Sequence, residues 1–382
     1  LLGSLLLRFR IAAFSPGRKA GRPGRLSAVK HLLTQVAEHA RLQSFHASGR
    51  SRRDARLALY PHENGFMQLC LLHFDDALDA LPDFVLACEN AGARHVKMRR
   101  DGRAIRLWGF HAQLNALREK LASALNGDSE PRLTFMGSGD FHHITTLLLA
   151  LALDHHPGPI TLIHIDNHPD WVKFDKGTHC GSWINRALEH PQVQKIITLG
   201  VCSHDLELPE PKYANLNLLS RGVLELYPYD HAPSQVSNDY GAGASFEQRN
   251  SHLHWKTIRA TGERNFVDYL LSRIGTEAVY LTIDKDVLPR EDAVTNWDQG
   301  IMRLPYLLSI VREIGAHHRI IGGDVIGDYS RRRFSGSLRT RLSKHYEMFK
   351  EPPLGKIDAK QTASINSATN HALLKALSEA MT

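Results

Sequence analysis

The sequence predicts an α/β protein in three layers, with helices on both faces of a mostly parallel central sheet. Three observations lead there. From residue 131 onward, short apolar runs rich in β-branched residues alternate with helical stretches. The runs are apolar throughout rather than alternating, as strands covered on both faces are. Four of them also end in polar clusters, on the edge where open α/β sheets hold their ligands.

The strand candidates are Arg132–Met136, Ile160–Ile165, Lys195–Val201 and Ala278–Ile283, with another beginning at Arg319–Ile321. Between them Ile144–Asp154, Cys180–Glu189, Phe266–Ile274 and Pro305–Ile314 read as helices. Upstream, a strand is expected within 58–72, a helix over Ala77–Ala91 and another over Phe110–Leu125. Ala93–Met98 and Ala104–Gly109 read as a hairpin closed near Asp101-Gly102. Residues 27–45 carry Val29, Leu32, Leu33, Val36 and Ala40 at helical spacing. Residues 205–262 are irregular and are expected to decorate the ligand-binding rim. The expected organisation is a basic tail over 1–26, one domain over 27–353 with its motif core at 131–330, and a C-terminal tail over 354–382 ending in a helix, Asn370–Met381.

Composition narrows the function classes. Hydrophobic content of 42% supplies a sizeable core, and no apolar run reaches the roughly 18–20 residues that span a bilayer. The net charge of +7 is concentrated at the start. Arg8, Arg10, Arg18, Lys19, Arg22, Arg25 and Lys30 all precede the first acid, Glu38. Such a stretch is a plain extension, a targeting segment or a nucleic-acid contact. The scattered Cys70, Cys88, Cys180 and Cys202 form no CxxC pair, which argues against a disulfide scaffold or zinc ribbon and for a reducing, cytoplasmic setting.

The chemistry lies in the polar clusters. They are Gly137-Ser138-Gly139-Asp140-Phe141-His142-His143, then His164-Ile165-Asp166-Asn167-His168-Pro169-Asp170, then Asp284-Lys285-Asp286, then Gly322-Gly323-Asp324 followed by Asp328. Residues two apart on extended chain point the same way, so Asp166, His168 and Asp170 converge, and Asp284 and Asp286 join them from another strand. Carboxylates gathered so closely repel unless cations neutralise them. Carboxylate and imidazole together suit Mn²⁺, Fe²⁺ or Zn²⁺. A single Asp after a strand is usually a helix cap or turn residue; the three clusters in combination are much rarer.

In order and spacing, GSGDFHH, DNHPD and DKD resemble the arginase, agmatinase and formiminoglutamase superfamily over about residues 131–330. The resemblance implies two Mn²⁺ ions sharing a hydroxide. By position, one would be held by His142, Asp166, Asp170 and Asp284, and the other by Asp166, His168, Asp284 and Asp286, with Asp166 and Asp284 bridging. Phe141 separates Asp140 from the histidines, so His143 is an alternative to His142. Where the family often places a catalytic His before a Gly, this chain has Cys180, with His179 one residue earlier. Where the family's Asp-x-x-Glu grips a guanidinium, Gly327 replaces the Glu, and Asp328 stands next to it. The segment His-x-Asp-x-His-Pro-Asp, His164 to Asp170, also resembles a divergent branch of the superfamily, to which peptide-acting arginases are similar.

The resemblance implies hydrolysis of a C–N bond by metal-activated water, with Asp170 accepting a proton and His179 protonating the leaving amine. Asp328 or Asp324 would hold a cationic substrate, a small guanidino compound or an arginine within a peptide; either could equally be a helix cap. Cys180 is a nucleophile in principle. Trp171, Trp183 and Trp297 are pocket-wall or core candidates. A deacetylase-like amidase using one zinc and a non-catalytic binder are the competing readings; no membrane or nucleic-acid partner is expected, and a homo-oligomer is open.

Overall fold

In a computed structural model the described residues are 67–125, 130–350 and 357–382. The expected tail over 1–26 and helix over 27–45 lie outside them. In chain order the elements are β1 (Gln68–His73), α1 (Pro82–Asn90), β2 (Arg94–Lys97), α2 (Arg99–Ile105), β3 (Trp108–Phe110), α3 (His111–Ala124), β4 (Arg132–Gly137), α4 (Thr145–Leu153), β5 (Ile160–Ile165), β6 (Gly177–His179), α5 (Trp183–Ala187), β7 (Val193–Leu199) and β8 (Leu224–Tyr227). There follow β9 (Ser234–Gln235), β10 (Phe246–Arg249), β11 (His252–Trp255), α6 (Glu263–Arg273), β12 (Ala278–Asp284), α7 (Leu304–His317), β13 (Arg319–Ile326), α8 (Leu338–Lys350) and α9 (Ala359–Ala380).

The main sheet has eight strands in the order β2-β1-β4-β13-β12-β5-β7-β8, and every pairing in it is parallel. Its strands split into two cores with the period of the pleat. On β12, Ala278 and Tyr280 face one core while Val279, Leu281 and Ile283 face the other. The first core is closed by α3, α4 and α5 through residues such as Leu117, Leu148 and Ile184. The second is closed by α1, α6, α7 and α9 through Phe84, Leu270, Ile310 and Leu374. Burying each such side chain contributes roughly 1.5–3 kcal/mol, so both layers are held by apolar area.

Two expectations change. The segment expected to form a hairpin is β2, then α2, then β3. β2 pairs in parallel with β1, and β3 pairs antiparallel with β6. Gly102 is there for close approach, not for a turn: a Cβ at this position would overlap the Phe74 carbonyl oxygen. The terminal helix is also longer than expected. It begins at Ala359, its N-terminus capped by Asp358, and buries Leu373, Leu374 and Leu377 in the second core. The irregular region holds a separate small sheet, β10-β11-β9.

Candidate metal centre

β4, β12 and β5 lie in the middle of the sheet, with β13 between β4 and β12, and their carboxyl ends deliver the polar clusters to one place. After β4, the Ser138 side chain accepts a hydrogen bond from the Asp140 amide and opens a 3₁₀ turn over Gly139–Ile144. That turn is anchored by charge. Arg106 Nε donates to Asp140 Oδ2 at 2.6 Å, and Arg332 Nε donates to the same oxygen at 3.0 Å. Burial raises the Asp140 pKa, but Arg332 and Arg106 outweigh it and hold the carboxyl well below its usual range.

The turn aims His142 at the acids. Its Nδ1 lies 3.0 Å from Asp166 Oδ2, 3.1 Å from Asp170 Oδ2 and 3.9 Å from Asp284 Oδ2. Its Nε2 lies 3.0 Å from Thr282 Oγ1, which itself donates to Asp324 Oδ1 at 2.7 Å. His143 points elsewhere and is buried, with neither ring nitrogen hydrogen-bonded among the described residues. After β5, Asp166 Oδ1 accepts from the His168 amide at 2.6 Å, and His168 Nδ1 lies 3.0 Å from Asp286 Oδ2.

Two groups of ligand-capable atoms result, each with all its atoms within 4.8 Å of one another. One is His142, His164, Asp166 and Asp170; the other is Asp166, His168 and Asp286. Asp166 belongs to both. Asp284 stands beside them at the wall of the same cavity. His164 is the member that sequence reasoning missed. Its Nε2 lies 2.9 Å from Asp166 Oδ2, and its Nδ1 lies 3.1 Å from Thr198 Oγ1. The usable signal was the spacing His164-x-Asp166, hidden inside an apolar strand.

The electrostatics are those of buried, crowded acids. Burial, then the charge of Asp166, pushes Asp284 up to about 7 and Asp286 well above the carboxylate range. Asp166 goes the other way: burial opposes its charge, yet hydrogen bonds from His142, His164 and His168 hold it low. Acids this crowded, in a cavity of about 460 Å³, fit divalent cations by charge and by donor type.

The backbone around them is tightly specified. Asp170 has φ +49°, a left-handed conformation costly for a non-glycine residue. Its Oδ2 accepts from Trp183 Nε1 at 2.6 Å, which fixes the carboxylate. Two glycines clasp Asp284: a Cβ on Gly139 would stand 2.5 Å from Asp284 Oδ2. Gly327, at φ +97°, would bring a Cβ against Asp284 Oδ1 and within 2.7 Å of the Lys285 amide nitrogen.

The expected substrate-binding acids need correction. Asp324 and Asp328 are buried and absent from the cavity wall. Asp324 accepts from Tyr280, Thr282 and Thr145, and so supports His142 from behind. Asp328 is ion-paired with Lys285 Nζ and accepts from Asn370 Nδ2 at 3.0 Å. Neither has a carboxylate oxygen free to reach a ligand in the cavity.

His179 does line the cavity, with Glu347 of α8 against it. Cys180 lies beside them, its thiol pushed well up by burial and then by Asp140, so it stays protonated and is a poor nucleophile. Of the three tryptophans, Trp297 lines the cavity. Trp183 packs on His142 and His164 beneath the acids, with ring centroids at 4.8 and 5.1 Å, and Trp171 is core. Of the irregular region, Asp205 and Lys212 reach the rim, beside Ser203 and His204, while β9, β10 and β11 do not. Asp298 is a further unforeseen acid, accepting from His168 Nε2 at 2.9 Å and held down to about 2, its burial outweighed by that histidine.

Comparison with known proteins agrees with this geometry. The family model described as "Arginase family" matches residues 87–224. An uncharacterized protein of Thermotoga maritima is 24% identical over 196 residues, 51% of this chain, and the match spans only 58% of that relative's length. Among solved structures, proclavaminate amidino hydrolase from Streptomyces clavuligerus superposes with a TM-score of 0.52 at 15% identity, covering 84% of this chain and 93% of that one. Arginase from Bacillus cereus gives 0.51 at 14% identity, covering 81% and 97%. Formimidoylglutamase from Bacillus subtilis gives 0.50 at 14% identity, covering 84% and 88%. At such identities the likeness is one of fold, and the fold is arginase-like.

Proposed function

We propose, from the match of residues 87–224 to the arginase family model and from the arginase-like fold, that the chain is a divergent member of that family and a two-metal hydrolase cleaving a C–N bond of a guanidino-type substrate. The observation that carries this reading is Asp166, shared by two adjacent groups of ligand-capable atoms. Two Mn²⁺ ions would be held by His142, Asp166, Asp170 and Asp284 on one side and by Asp166, His168, Asp284 and Asp286 on the other, with His164 within reach of the first. Bound there, two cations supply a water that ionises near neutral pH.

The chain's own residues then have distinct tasks. Asp170 is held by Trp183 at Oδ2, so Oδ1 is the oxygen able to take up a proton. His179 accepts from the Gly181 amide at Nδ1, so a neutral ring carries its proton on Nε2, at the cavity wall. Glu347 Oε1 engages that proton, so the His179–Glu347 pair is the position from which a leaving nitrogen would be protonated. Thr282 and Asp324 keep the His142 ring from turning.

Mn²⁺ loading followed by elemental analysis, and an assay of urea release from free arginine, agmatine and arginine-containing peptides, tests this. The expected result is close to two metals per chain, with turnover of a substituted or peptide-bound guanidine exceeding that of free arginine. No metal uptake, or two metals with no guanidine hydrolysed, overturns it.

A further inference from the structure

Resting on that reading and extending it to the substrate, we infer that Glu347 and the aromatic wall beside it form the subsite for a planar cationic group, a guanidinium or amidinium. Charge singles Glu347 out. Four of the carboxylates lining the cavity, Asp166, Asp170, Asp284 and Asp286, belong to the metal set. Asp205 is paired with Lys212 Nζ at 2.9 Å. Asp298 accepts from His168 Nε2 and from Asn167 Nδ2. Glu347 is the one that remains. Its Oε1 meets His179 Nε2 at 2.5 Å, and among the described residues its Oε2 has no hydrogen bond and no Lys or Arg pairs with it.

The tautomer of His179 sharpens this. The Gly181 amide donates to Nδ1 at 2.8 Å, so a neutral imidazole points its one N–H at Glu347. Glu347 is thereby oriented without being neutralised. A carboxylate so placed accepts a second donor group at Oε2 from the cavity side.

The surroundings select which cation. Leu107, Trp108 and Cys180 form an apolar cluster, with Phe174, Trp297, Phe334 and Met348 packed against it. The Phe174 ring lies 5.7 Å from the His179 ring. Of these aromatic residues, Trp297 lines the cavity with Glu347, and a carboxylate with an aromatic ring in the same wall suits a guanidinium, which is planar, weakly hydrated and forked to match two oxygens. It suits a compact, strongly hydrated ammonium less. The same wall already holds one such contact: the Arg332 guanidinium carbon sits 5.0 Å from the Trp297 ring centroid.

Glu347→Gln removes the charge while keeping an oxygen that can accept from His179. Mn²⁺-loaded parent and variant are titrated calorimetrically with Nα-acetyl-L-arginine amide and Nα-acetyl-L-lysine amide, and metal content and melting temperature are measured in parallel. Should Glu347→Gln fail to fold, Glu347→Asp, which shortens the reach but keeps the charge, takes its place. The parent should prefer the arginine compound. Glu347→Gln should weaken that affinity on the order of ten- to a hundredfold, with metal content and melting temperature unchanged. If the compound is hydrolysed, KM should rise. A parent that binds and hydrolyses guanidines with a variant of equal affinity overturns this inference alone. A parent that prefers the lysine compound does the same. A parent that binds neither overturns this inference and the proposed function together.

Discussion

Two sets of buried acids stand in this molecule, and their charge balance separates them. In one, Asp140 is met by Arg106 and Arg332, and Asp328 by Lys285. Each acid there has a cation supplied by the chain. In the other, Asp166, Asp170, Asp284 and Asp286 face one another and three histidines, with no Lys or Arg ion-paired to them among the described residues. Burial costs both sets alike. The first set is satisfied by folding itself, while in the second burial and the neighbouring acids push Asp284 and Asp286 up. A buried acid is read as structural or functional by who neutralises it.

The comparison can be broken at its strongest point. Asp166→Asn should abolish uptake of both metals, since Asp166 is common to both groups. Activity should fall by more than the roughly 10–100-fold that loss of a mere supporting partner costs. Retention of one full metal equivalent, measured by elemental analysis, would show that the sharing is not real.

The next largest effect should have opposite signs in the two clusters. Asp328→Asn leaves Lys285 buried and unpaired, and should destabilise the protein by about 3–5 kcal/mol with metal content unchanged. Asp286→Asn removes a carboxylate that its neighbours repel. In metal-free protein it should leave stability unchanged or raise it by about 1 kcal/mol. Urea denaturation of the two metal-free variants against the parent reads both. A similar loss in each would erase the distinction drawn here.

A smaller effect concerns Asp75, at the edge of the balanced cluster. Burial raises its pKa to about 6, above the ordinary aspartate range, although Arg106 and Ser330 pull it down. A raised folded-state pKa means that its contribution is fully present below about pH 4 and is lost as pH rises through about 6. The parent should therefore lose stability relative to Asp75→Asn across that window, by no more than about 3 kcal/mol. Denaturation midpoints of both proteins between pH 4.5 and 7 give the difference. A difference that stays flat across that range would place Asp75 as a fully paired carboxylate.

The parts of this molecule legible in the sequence are those encoded locally. A fully apolar strand followed by Asp, His and Asp at alternate positions states its own geometry, so the sheet and the main acids could be placed before any coordinates. His164 escaped because a polar residue inside Ile160–Ile165 reads as a satisfied core histidine. Asp328 was misassigned because its partners, Lys285 and Asn370, lie 43 and 42 residues away. Glu347 and Asp298 come from segments with no pattern of their own, and only the fold carries them to the cavity. The hairpin expected at 93–109 failed for a related reason: Gly102 answers to Phe74 across the fold, not to its neighbours in the chain.

Gly327 carries a last consequence, for lineage and for engineering. With no room for a Cβ between its backbone and Asp284, the position admits no side chain at all. Gly327→Glu would not rebuild the acid that relatives of this family place there. It would force Asp284 aside first and forfeit the metal centre in the attempt. A further carboxylate for this cavity would have to be introduced from another direction, on a different element of the fold.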